Sequence, residues 1–92
     1  MDRDLICHTI LALVRQRGPE KTICPSEVAR ALGGQDWRPW MDEVRSRGVE
    51  LALAGDIVIT QQGNILPLDH IKGPIRFRVT QQSMNKPLPD SR

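Results

Sequence analysis

Five cations in this chain stand where they could meet a polyanion. Arg38 and Arg45 are seven residues apart, which places them one above the other on a flank of a helix, while Lys72, Arg76 and Arg78 gather in a later segment of alternating pattern. Arginine offers paired donors to guanine edges, and both arginine and lysine meet phosphates, so the chemistry this set suggests is recognition of nucleic acid rather than bond making. Asp42 and Glu43 oppose it, because they share the helix with Arg38 and Arg45 and would repel a phosphate backbone. The plainer use of the same residues is a solvated face with ion pairs such as Asp42 with Arg45 or Arg38 with Asp42. Arg76 and Arg78 would equally serve to discourage strand-to-strand aggregation at a sheet edge.

Cys24 precedes Pro25 at a helix start, where the helix dipole favours a thiolate and Lys21 adds positive charge. A thiol role is the sharp reading. A small residue replacing the usual Ser or Thr cap is the plain one. Cys7, Cys24, His8 and His70 lack the paired spacing of a metal site or disulfide framework, so neither metal nor cofactor is expected. No Ser/His/Asp order, phosphate-binding glycine loop or separated carboxylate pair is present, and the chain reads as a binding module, not an enzyme. Trp37 and Trp40 could stack on a base, but their helical spacing suits packing, with Trp40 the more buried.

The element that must carry Arg38 and Arg45 runs from Trp37 to Ala54, with Asp36 as N-cap, Pro39 in the first turn and Gly55 as left-handed C-terminal residue. Trp37, Trp40, Met41, Val44, Gly48, Leu51 and Ala52 share its apolar face, so the bulky core volume is expected there. Gly48 within that helix costs ~1 kcal/mol against alanine if exposed, or else permits a close crossing with the first helix.

Ahead of it, residues 2–17 show helical spacing, with Asp2 and Asp4 at the start, Arg15 and Arg17 at the end, and Gly18-Pro19 as the stop. Lys21-Thr22-Ile23 reads as a short extended piece. Cys24-Pro25-Ser26-Glu27 opens a second helix with a capping-box pattern, and Gly33-Gly34 closes it. After Gly55 the period falls to two: Ile57 and Ile59 alternate with polar neighbours, Gln61 to Asn64 turn, and Ile75, Phe77 and Val79 alternate with Arg76 and Arg78. About a dozen residues separate these two strands. From Thr80 the composition becomes that of a flexible tail, with Met84 or Leu88 as the residues able to dock.

A chain of 92 residues suits one domain, residues 1–79, followed by a tail at 80–92. Its net charge of +2 permits nucleic acid without demanding it. Arg15 and Arg17 interrupt the only early apolar stretch, so neither a secretory signal nor a membrane span is expected and the cytoplasm is the expected location. No coiled-coil segment specifies an oligomer.

The blocks ICPSEVARAL, WRPWMDEVR, LALAGDIVITQQG and KGPIRFR, in this order, resemble a family of small bacterial winged-helix domains of unknown function across about residues 3 to 79. The resemblance implies an α+β winged helix-turn-helix, three helices with a two- or three-stranded antiparallel wing sheet, and brings no site residues with it. The element order read from periodicity agrees. The expected core is Leu5, Ile6, Ile10, Leu13, Val28, Leu32, Trp40, Met41, Val44, Leu51, Ile57, Ile59, Ile75 and Phe77. The expected role is a DNA-binding or transcription-associated module, and the alternative is a protein-interaction adaptor built on the same fold.

Overall fold

A computed structural model describes residues 2–69 and 71–86. Asp2 caps the first helix, α1 (Arg3–Arg17): its carboxylate accepts the N–H groups of Asp4 at 3.0 Å and Leu5 at 3.2 Å. Gly18, with φ +96°, ends it and donates to the Val14 carbonyl. Ile6, Ile10, Leu11 and Val14 are buried, whereas Leu5 is 40% exposed and Leu13 only half-buried. Leu5 does not join the core because it lies about 140° round the helix from Ile10. Leu11 and Val14 fill the place assigned to Leu5 and Leu13.

Ile23, in the extended link, exchanges two 2.8 Å backbone hydrogen bonds with Phe77, which gives the sheet a further position beside its last strand. Helix α2 (Pro25–Gly33) follows, and the Glu27 carboxylate accepts the Cys24 N–H at 2.8 Å, closing the expected box. Val28 and Ala29 are buried and Leu32 is half-buried.

The continuous helix expected from Trp37 is interrupted. Two 3₁₀ turns, Gly34–Asp36 and Arg38–Trp40, precede α3 (Met41–Leu53). Pro39 supplies no N–H and restricts Arg38, so the chain closes a tighter bond, Trp40 N–H to Trp37 O at 3.0 Å, before the wider helix begins. Asp36 is not a cap, because the residue after it, Trp37, precedes a 3₁₀ turn rather than the first turn of an α-helix. The other end is as expected: Gly55 at φ +85° donates to Ala52 and Asp56 to Leu51, a Schellman closure.

Strand β1 (Ile57–Gln61) turns through Gln62 and Gly63, both at positive φ as a type I′ hairpin requires, into the short β2 (Asn64–Ile65). Strand β3 (Arg76–Val79) pairs on the other side of β1, so the antiparallel sheet has the order β2-β1-β3. Ile57 faces Val79 and Ile59 faces Phe77 across the ladder, and all four are buried. The layout is that of a winged helix with the third strand present.

The bulky volume of the core comes from Phe77 and the isoleucines, not from the tryptophans, which are both half-buried. Gly48 lies against Phe77: a Cβ there would lie 2.5 Å from the tip of the Phe77 ring. The segment after β3 begins with a helical turn, α4 (Gln81–Met84), instead of a free tail. Thr80 caps it and donates to the Gly55 carbonyl at 2.8 Å, while Ser83 is wholly buried beside Arg15. Leu88 lies outside the described residues.

Candidate nucleic-acid interface

The segment before β3 is held by two side chains, one from α3 and one from β1. Arg45, on the flank of α3, donates from Nη1 to the Gly73 carbonyl at 3.1 Å. Gln61, at the end of β1, donates from Nε2 to the carbonyls of Lys72 at 2.7 Å and Pro74 at 3.1 Å. Gly73 itself stands at φ +73°, a backbone that disfavours any side chain, and a Cβ there would approach Gln61. The 72–74 turn is thus clamped from both sides. Lys72 is exposed at its edge.

Arg76 is committed elsewhere. Its guanidinium donates to Thr22 Oγ1 and, at 3.4 Å, to the Thr22 carbonyl, and Nη1 lies 2.7 Å from Cys24 Sγ. These contacts fasten β3 to the start of α2. Cys24, Gln61, Gln62, Pro74, Ile75 and Arg76 line an open cleft of about 230 Å³. Arg78, half-buried opposite Val58, has no ion pair among the described residues.

Arg38 joins neither group. Its guanidinium carbon lies 4.7 Å from the centroid of the Trp37 ring, and that of Arg30, reaching from α2, lies at the same distance. The expected pairs of Asp42 with Arg38 or Arg45 do not form, because Arg38 stacks and Arg45 turns to Gly73. The acids that are neutralised on α3 are Glu43 and Glu50, by Arg47 and, for Glu50, also by Arg3 at 2.8 Å. They lie on the side toward α1. Arg30 was not among the five expected cations, and its meeting with Trp37 across the Gly33-Gly34 break leaves no spacing signal in the chain.

Burial pushes the Glu27 carboxyl up, but the Cys24 N–H hydrogen bond and the Arg17 ion pair at 2.6 Å outweigh it and hold the group below the usual carboxylate range. Cys7 is pushed the other way, first by burial and then by Glu50, which makes its thiol a poor nucleophile. Among the described residues no three His, Cys, Asp or Glu side chains gather to hold a metal, and no helix is long and apolar enough to cross a membrane. His70 lies outside the described residues.

A second surface feature is apolar. Ala52, Val58, Ile65, Leu66 and Leu68 line an open groove of about 200 Å³ between the end of α3 and the hairpin, with Ile57 and Ile59 at its floor. Ile65 is 60% exposed and Leu53, on α3, 71%.

A family model described as Protein of unknown function (DUF3253) matches residues 3–80, a span that holds both clusters and the groove. No match to the chain was found among curated proteins.

Proposed function

Since the chain belongs to this family of unknown function, no activity comes with membership, and we propose from its geometry that it is a nucleic-acid-associated binding module, not an enzyme. The observation that carries this reading is the clamped 72–74 turn, which holds Lys72 against the flank of α3 bearing Arg45. Arg38 and Arg78 are the further phosphate-contacting groups, because neither is neutralised by an acid among the described residues. Arg76 serves the interface by position, since its donors already face Thr22 and Cys24. Such a module would work in the cytoplasm of a bacterial cell, as a DNA-binding or transcription-associated accessory. Phosphate contacts release counterions, so affinity should fall with salt by close to one power per contact on duplex. Titrating labelled oligonucleotides at two salt concentrations tests it, and no binding at low salt would end the proposal.

A second reading, a protein-interaction adaptor, is favoured by the exposure of Leu53 and Ile65 beside the apolar groove. On that reading Ile65→Glu and Leu53→Glu abolish partner capture while leaving oligonucleotide binding intact; partner capture unchanged by both substitutions would count against it.

A further inference from the structure

Resting on the nucleic-acid reading, we propose that the ligand is single-stranded and that Arg30, Trp37 and Arg38 form its base-stacking platform. The indole of Trp37 is only half-buried, and the two exposed arginines lie over it at 4.7 Å each. Among the described residues neither arginine has an ion pair, although Asp42 follows Arg38 by one helical turn. Two uncompensated charges are therefore held on one π-face system at the junction of α2 and α3.

An unpaired base exchanges readily with such an arrangement. It replaces one guanidinium on the ring, trading a cation–π contact for base stacking, and the released guanidinium meets the phosphate of the same nucleotide. The remaining guanidinium still backs the indole. Duplex offers no free base face to stack in this way.

The shape of α3 argues in the same direction. A helix that reads the major groove presents donors from its first turns, but here those turns are the 3₁₀ segment containing Pro39, and Trp40 packs on Gly33. The exposed positions of α3 itself are Asp42, Ser46 and Leu53, an acid, a hydroxyl and an apolar side chain. Arg45 is turned aside to Gly73. The cations lie along the flanks, suited to following one backbone rather than entering a groove.

The test is fluorescence anisotropy with a fluorescein-labelled oligothymidylate of about fifteen nucleotides and with duplex of equal length, at two salt concentrations. The single strand should bind about ten-fold or more tightly than the duplex. Trp37→Ala should weaken single-strand binding by about ten-fold or more, Trp37→Phe should retain most of it, and neither should alter duplex binding comparably. Of Arg30→Gln and Arg38→Gln, the one that removes the released guanidinium should flatten the salt dependence for single strand by about 0.7 of a power, while the other should weaken binding with the slope unchanged; no change of slope in either would contradict the exchange. Circular dichroism checks the fold; if Trp37→Ala does not fold, quenching of Trp37 emission in a Trp40→Phe background decides, with quenching by single strand as the expected result and no quenching overturning the proposal. Duplex binding equal to or tighter than single-strand binding, insensitive to Trp37, would overturn this inference and leave the nucleic-acid role standing. Binding to neither would remove both.

Discussion

Replacing Gly48 with alanine distinguishes a packed glycine from an exposed one by the sign of its effect. In the interior of an exposed helix, Gly48→Ala would stabilise the protein by about 1 kcal/mol through helix propensity alone. Here the new methyl would stand 2.5 Å and 2.7 Å from two atoms of the Phe77 ring and 3.3 Å from a third. The ring must retreat by nearly an ångström, yet Phe77 is wholly buried and its backbone is held by Ile23 on one side and Ile59 on the other. Overpacking of this kind costs about 1–3 kcal/mol, and the fixed ring places it in the upper part of that range. Subtracting the propensity gain leaves a net loss of about 1–2 kcal/mol. For a domain this small, that corresponds to a thermal midpoint lower by about 5–15 °C. Urea unfolding should show a lower midpoint with an unchanged slope, since the exposed area on unfolding is the same. Adding Phe77→Leu makes room, so the cost of Gly48→Ala in that background should shrink by about 1 kcal/mol or more. A Gly48→Ala protein as stable as the parent, or more stable, would refute the contact and with it the seating of β3 on α3.

Glu27 is ionised more readily when folded than when unfolded. Its folded value lies below the unfolded one, so its stabilisation is complete above the ordinary carboxylate range and is lost as pH falls through the folded value. Glu27→Gln should therefore lower the urea midpoint at pH 7, and the difference from the parent should close on acidification; a constant difference would contradict the Arg17 and Cys24 contacts. Arg76→Gln should cost about 1–2 kcal/mol through the lost contacts to Thr22 and Cys24, read by urea unfolding, without changing the salt dependence of oligonucleotide binding. Lys72→Gln should do the reverse, leaving stability within about 0.5 kcal/mol and reducing the duplex salt slope by about one. Gly33→Ala brings a methyl to 2.6 Å from the Trp40 ring, but that indole is half-exposed and can move, so the loss should be smaller than at Gly48.

Much of the fold could be read along the chain because the signals are local. Capping at Cys24-Pro25-Ser26-Glu27, the Gly55 closure and the shift of apolar period after it depend on residues within a few positions of one another, and each appears where those residues place it. The hairpin turn was legible in Gln61 to Asn64, while the short β2 beyond it was not, since two residues make no alternation. The helical turn at Gln81–Met84 escaped for a different reason: Thr80 and Ser83 gain their partners from Gly55 and Arg15, far away in sequence.

The same division runs through the candidate interface. That the chain carries a winged-helix order of elements and a set of arginines beside them follows from periodicity and composition, because backbone preference and amphipathic spacing act over one or two turns. Which arginine is spent on what could only be settled when the elements met. Arg45 finds a carbonyl in another segment, Arg76 finds the threshold of α2, and Arg30 reaches Trp37 across a break that spacing rules do not cross. A guanidinium chooses among partners by distance in space, and that distance exists only after burial of Phe77 against Gly48 has fixed the sheet to the helices.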